Sequence, residues 1–90
     1  IFCTSDQKAI VVMRAIRDLG FTIPHDISIL GFDNIEISAF LEPPLSTISQ
    51  PLYEMGALGA HKLIDLIEGE KKEPTIDVLG TDLIIRKSIR

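Results

Sequence analysis

The sequence has one cysteine, Cys3, so an internal disulfide is excluded. A lone thiol inside an apolar run reads as a small buried strand residue in a reducing, cytoplasmic compartment. Histidine is almost as scarce. Neither His25 nor His61 belongs to a His-x-x-x-His or Cys-x-x-Cys spacing, so no metal site is expected. The phosphate-cradling patterns G-x-G-x-x-G and G-x-x-x-x-G-K-[ST] are absent, and Gly56-x-x-Gly59 falls inside a helical pattern. No nucleophile stands near a candidate base, so no cofactor and no enzymatic activity are expected. Basic runs are missing too. Net charge is −4, and the charged cluster Glu70-Lys71-Lys72-Glu73 neutralises itself and reads as a solvated loop. Such a surface does not favour nucleic acid directly. No apolar run approaches the ~20 residues that cross a bilayer, and no signal peptide is visible. The chain opens at Ile1 inside an apolar run, so its natural start is expected upstream.

What is present suits one small domain or part of a larger one: 90 residues, 46% of them hydrophobic. Residues 1–4 read as a short buried strand. Thr4 is a candidate N-cap, with Gln7 three residues on as its capping-box partner. The next segment places Ala9, Val12, Met13, Ile16 and Leu19 on one face at helical spacing, and Gly20 supplies a left-handed stop. Residues 21–26 form a connector ending in turn chemistry. Residues 27–32 read as a second strand without strict alternation, the look of a parallel strand covered on both faces. Strand, helix and strand within about thirty residues make a right-handed βαβ unit.

Residues 34–40 then predict a short helix, ended by Pro43-Pro44, and residues 45–49 a third strand. Pro51 opens the longest helix, over residues 51–68, with Leu52, Met55, Leu63, Ile64 and Ile67 as its buried stripe. Gly56, Ala57, Gly59 and Ala60 inside it predict close packing against another backbone. Gly69 stops it. Residues 75–79 and 82–85 read as strands separated by Gly80-Thr81.

Chemistry concentrates at two strand ends. Ser5-Asp6 follows the first strand and Asp33-Asn34 follows the second, which puts both on the carboxyl edge of a parallel sheet, where ligands of open α/β sheets bind. Adjacent strands would bring them about 5 Å apart. Carboxylate and amide groups suit the vicinal hydroxyls of a sugar or the N–H groups of a purine. Asp6 and Asn34 serve equally well as helix caps, whereas binding is the favoured reading of Asp33.

The run Ile1-Phe2-Cys3-Thr4-Ser5-Asp6-Gln7-x-Ala9 resembles a segment of the lactose-repressor/galactose-repressor family of bacterial transcription regulators. Similar to that family too are Gly20-Phe21-x-Ile23-Pro24-x-Asp26-Ile27-Ser28-Ile29-x-Gly31-Phe32-Asp33-Asn34 and Pro43-Pro44-Leu45-Ser46-Thr47-Ile48-x-Gln50-Pro51, as are Glu54-Met55-Gly56 and Leu83-Ile84-x-Arg86-x-Ser88. The motifs cover nearly the whole chain in order. The resemblance implies an incomplete α/β fragment, a parallel-sheet, Rossmann-like part of a periplasmic-binding-protein-like fold with two subdomains around a cleft. Residues 1–50 and 81–90 would belong to the C-terminal subdomain, and residues 51–80 would contribute a helix and strand to the N-terminal one. It also implies a small polar effector, a sugar or nucleobase-like molecule, and a homodimer. DNA would be contacted only by a helix-turn-helix domain outside this sequence.

By the same resemblance Asp33 contacts effector, Ser5 stands where the family often carries asparagine or aspartate in that role, and Leu52 and Met55 line the cleft from the other subdomain. Together with Asp6 and Asn34 these are the candidate effector contacts. Family dimers pack through the helix after the first strand and the short helix after the Gly-Phe-Asp motif. That makes Ile10, Met13, Arg14, Phe40 and Leu41 the interface candidates, although Met13 and Phe40 also fit intramolecular stripes. Without the rest of the N-terminal subdomain, Leu63, Ile64 and Ile67 are expected either to drive association or to fold back on the sheet. A periplasmic sugar-binding protein of a transport system is the alternative that shares this fold.

Overall fold

The computed structural model describes residues 1–69 and 73–90; most of the charged cluster Glu70-Lys71-Lys72-Glu73 therefore lies outside the described residues. Element order is α1 (Asp6–Asp18), a 3₁₀ helix (Glu36–Phe40), β1 (Thr47–Ser49), α2 (Leu52–Ile67) and β2 (Asp82–Ile84). The chain divides into two compact units, Ile1–Gln50 with Asp82–Arg90, and Pro51–Thr81.

The first unit is built on α1. Ser5, not Thr4, is the N-cap: its backbone is extended and its hydroxyl accepts from the Lys8 N–H. The Thr4 hydroxyl instead accepts from Lys8 Nζ at 3.1 Å. Ala9, Met13 and Ile16 are buried at i, i+4, i+7, and Val12 packs beside them. Leu19, expected on that face, is 73% exposed, because the helix has already ended at Asp18. The stop is a Schellman motif, in which Gly20 takes φ +87°. Gly20 N–H donates to the Arg17 carbonyl and Phe21 N–H to the Ile16 carbonyl.

The sheet is shorter than the sequence pattern suggests. Residues 1–4 and 27–32 pair through the parallel bridge Phe2–Leu30, and Leu30 bridges Ser46 on its other side, also in parallel. The central segment still bonds on both flanks. Leu30 N–H donates to Ile1 O, Cys3 N–H to Leu30 O, and Gly31 N–H to Ser46 O, all within 2.8–2.9 Å. β1 and β2 pair antiparallel, with Thr47 opposite Ile84 and Ser49 opposite Asp82. The chain leaves this unit along β1 and returns along β2, so the two must run in opposite senses. The core is Cys3, Ala9, Met13, Ile16, Ile29 and Leu45, with Ile23, Ile27 and Leu41 against it. Among the described residues five polar ones are also buried, namely Asp6, Ser38, Ser46, Thr47 and Ser88. Among the described residues no buried side-chain donor or acceptor lacks a partner.

In the second unit α2 buries no residue fully. Its expected stripe (Leu52, Met55, Leu63, Ile64, Ile67) is exposed throughout. A Cβ placed on Gly56 or Gly59 would meet nothing within 4 Å, so the close backbone packing expected there is not found among the described residues. Residues 75–79 form no ladder; Ile76 and Val78 are 92% and 90% exposed. Lys62 ties this stretch to α2, donating to Thr75 O and Asp77 Oδ2 at 2.6 Å each. A helix and a lone extended segment cannot bury a hydrophobic face between them, which accounts for the uncovered stripe. No helix among the described residues is long and apolar enough to cross a membrane.

Candidate functional site

The two strand ends meet in the first unit. Asp6 N–H donates to Phe32 O at 2.8 Å, which sets the Ser5-Asp6 turn against the end of the central segment. Asp6 differs from its expected role. It is fully buried, and both carboxylate oxygens are taken: Oδ1 accepts from Thr47 Oγ1 at 2.6 Å and Oδ2 from Ile35 N–H at 2.8 Å. It is thus neither a cap for α1 nor an open acceptor, but a bracket between α1, β1 and the turn after the central segment.

That turn has an unusual backbone. Asp33 has φ +113° and Asn34 φ +55°, two consecutive non-glycine residues in the left-handed half of the map. Such conformations cost about 1–3 kcal/mol each at most residues, less for asparagine and aspartate. Three successive amides answer that cost. Asp33 N–H donates to Ile48 O at 2.9 Å, Asn34 N–H to Thr47 Oγ1 at 3.2 Å, and Ile35 N–H to Asp6 Oδ2 at 2.8 Å. At about 1 kcal/mol net per bond, and more to a carboxylate, they suffice to hold it.

Gly31 makes room for the bracket: a Cβ there would run into Asp6 Oδ1 and stand 3.0 Å from Leu45 Cδ2. Thr47 is the pivot, since one hydroxyl donates to Asp6 and accepts from the backbone of Asn34.

Asp33 itself is half-buried. Its Oδ1 accepts from Gln50 Nε2 at 2.7 Å. No described residue donates to the other oxygen, which leaves an acceptor for a hydroxyl or N–H group. Ser5 is half-buried, and its hydroxyl proton is available while the oxygen caps α1. Asn34 points inward: its Oδ1 accepts from Arg86 Nη2 at 2.9 Å. It does not cap the following 3₁₀ helix, whose N-cap is Ile35 with no side-chain bond.

Leu52 and Met55, in the second unit, are exposed. Of the interface candidates, Met13 is a core residue and Leu41 leans on the core, whereas Ile10 is half-buried and Phe40 is 79% exposed. Arg14 is exposed and pairs with Asp18 at 3.0 Å. Ile10, Met13, Arg14, Arg17, Leu41 and Glu42 line a shallow groove of about 320 Å³. Among the described residues no cluster of histidine, cysteine or carboxylate side chains could hold a metal.

Sequence reasoning missed the roles of Gly31, Thr47, Gln50 and Arg86. Each lies inside a motif, but only pairing partners reveal what it does. The hydroxyl-rich run Ser46-Thr47-Ile48-Ser49 in a sheet strand and an arginine after the last strand were the available signals.

Residues 1–89 match the periplasmic binding protein-like domain. The chain belongs to that family. The chain is 39% identical over 90 residues to the transcriptional repressor CytR of Escherichia coli K12, covering all of this chain and 26% of that protein. It is 40% identical over 89 residues to the ribose operon repressor of Haemophilus influenzae, covering 99% of this chain and 27% of that one. It thus spans about a quarter of the length of these relatives. Among solved structures, the transcriptional regulator CelR in complex with cellobiose superposes with a TM-score of 0.92 at 36% identity, covering 97% of this chain and 27% of that one. The lac repressor dimer bound to operator and the anti-inducer ONPF gives 0.87 at 33%, covering 98% and 30%. The resemblance to the lactose-repressor family read from the sequence therefore holds, and the relatives are transcriptional repressors.

Proposed function

We propose that this chain is the effector-binding and dimerisation part of a cytoplasmic bacterial transcription regulator. It senses a small polar ligand, a sugar or nucleobase-like molecule, and governs DNA binding by a helix-turn-helix domain outside this sequence. It performs no catalysis. The observation that carries the reading is the Asp33 carboxylate, set on a left-handed turn at a strand end with one oxygen braced by Gln50 and the other open. A fixed acceptor of this kind suits a ligand hydroxyl. Ser5 is its partner on the same edge. Asp6 and Asn34, both engaged internally, support the site from beneath. Leu52 and Met55 are the apolar effector contacts of the second unit.

The relatives' names favour regulation over transport: the transcriptional repressor CytR and a ribose operon repressor rather than uptake proteins. On this reading residues 1–50 and 81–90 are C-terminal subdomain, and residues 51–80 belong to the N-terminal one. Ile10, Arg14, Phe40 and Leu41 form the dimer face, with Met13 behind it as core. Effector binding shifts the balance between two subdomain arrangements and so biases DNA affinity.

The test is Asp33→Ala in the intact regulator. Effector-dependent release or capture of operator is expected to disappear while the melting temperature stays within a few degrees. An unchanged effector response would defeat the assignment.

A further inference from the structure

We infer that Arg86 is a positioning residue for the effector site, acting on Asp33 through Asn34. The inference rests on the reading of Asp33 as an effector contact. Arg86 follows β2, far in sequence from the turn it holds. Its Nη2 donates to Asn34 Oδ1 at 2.9 Å, and its Nη1 donates to Ser38 Oγ and to Leu45 O at 2.8 Å each. Its own amide donates to Ser46 Oγ at 2.8 Å, which fixes the residue's backbone to the strand that carries Thr47.

Among the described residues the guanidinium has no carboxylate partner. Its hydrogen bonds go to three neutral oxygens, on Asn34, on the 3₁₀ helix and on the residue before Ser46. That is a clamp, and geometry rather than charge pairing is what it supplies. Asn34 is the residue at φ +55°, and Asp33 before it is at φ +113°. The three amide bonds of residues 33–35 hold the main chain, but none of them engages a side chain of the turn. Arg86 does so at Asn34 at 2.9 Å, with the Ser38 hydroxyl a longer second donor to the same oxygen at 3.3 Å, and Gln50 does so at Asp33. Loss of the Asn34 tether frees the turn to relax toward ordinary backbone angles, which rotates the Asp33 carboxylate away from its direction.

A lysine cannot replace the fork, because a single ammonium cannot span all three acceptors in these directions. Asn34→Asp keeps an acceptor for Arg86, so it is the rescuing counterpart, whereas Asn34→Gly keeps the backbone freedom and removes the acceptor.

The experiment is hydrogen–deuterium exchange by mass spectrometry on the intact protein and on its Arg86→Lys, Asn34→Gly and Asn34→Asp variants. Peptides covering residues 33–35 are compared with peptides covering the centre of α1, and D-ribose- and cellobiose-dependent melting shifts are recorded alongside. Arg86→Lys and Asn34→Gly should speed exchange at residues 33–35 about tenfold and leave α1 unchanged. Asn34→Asp should retain protection. Any sugar-dependent shift seen in the wild type should shrink in the first two variants and persist in the third.

Unchanged exchange at residues 33–35 in Arg86→Lys overturns the inference, as does an equal rise in α1, which marks general destabilisation. Raised exchange with an undiminished sugar-dependent shift overturns the link to binding. A sugar-dependent shift that survives Asp33→Ala instead defeats the role of Asp33, and leaves the exchange result to decide what Arg86 does to the turn.

Discussion

Removing the Asp6 carboxylate is expected to be among the most damaging single changes to the first unit. Two donors depend on it, the Thr47 hydroxyl at 2.6 Å and the Ile35 amide at 2.8 Å, and the side chain is fully buried. Asp6→Ala leaves both donors without an acceptor and opens a small cavity beside Gly31. Hydrogen bonds to a charged group contribute about 1.5–3 kcal/mol each, and an orphaned buried donor costs a similar amount, so the loss should be about 3–5 kcal/mol. That is a large share of the roughly 5–15 kcal/mol that a domain has in hand.

Asp6→Asn separates acceptor loss from cavity formation. Its amide oxygen can serve Ile35 N–H while its NH₂ donates to Thr47 Oγ1, which already accepts from Asn34. Only the threonine proton is then stranded, and the cost should fall to about 1–2 kcal/mol. Thr47→Val, measured alone and with Asp6→Asn, closes the cycle; direct contact between the two predicts clearly non-additive losses. Urea unfolding of the intact protein, followed at equilibrium, reads the wild type and all four variants. A cost below 1 kcal/mol for Asp6→Ala, or equal costs for the alanine and asparagine variants, would refute the bracket role and return Asp6 to the open side of the site.

Gly31→Ala should destabilise by about 1–3 kcal/mol in the same assay, because the new methyl overlaps a carboxylate that Thr47 and Ile35 hold in place; a neutral effect would mean that the bracket yields easily. The connector carries a pH-dependent element. Backbone and side-chain hydrogen bonds from Thr22, at 2.8 and 2.9 Å, hold the Asp26 carboxyl below its ordinary value of 3.8. Its folded pKa is depressed, so its contribution is complete above the unfolded value and is lost as pH falls through the folded one. Wild type should therefore melt above Asp26→Asn at pH 6, with the gap closing on acidification below about pH 4; a gap that stays constant would rule out this charge as its source.

Local chemistry alone determined a good deal here. Helical spacing places Ala9, Met13 and Ile16 inward, and Gly20 stops α1 because only a residue free to take positive φ closes that motif. The run ending in Asp33 marks a strand end with an acceptor beyond it, and this too is local, since it needs only the order of residues along one segment.

Partnership is what the sequence could not decide. Asp6 and Asn34 look like caps or ligand contacts, because aspartate and asparagine suit both; which oxygen meets which donor depends on Thr47 and Arg86, 41 and 52 residues away. The left-handed turn at Asp33 and Asn34 is likewise imposed by tertiary bonds from β1 and α1, for neither residue demands it. The stripe on α2 reads as buried from its spacing, yet burial requires a second apolar surface, and periodicity within one helix cannot supply one. Sequence named the residues able to bind or to pack. The fold assigned each to one task, because a hydrogen bond or a buried contact is a property of two groups and the chain order specifies only one at a time.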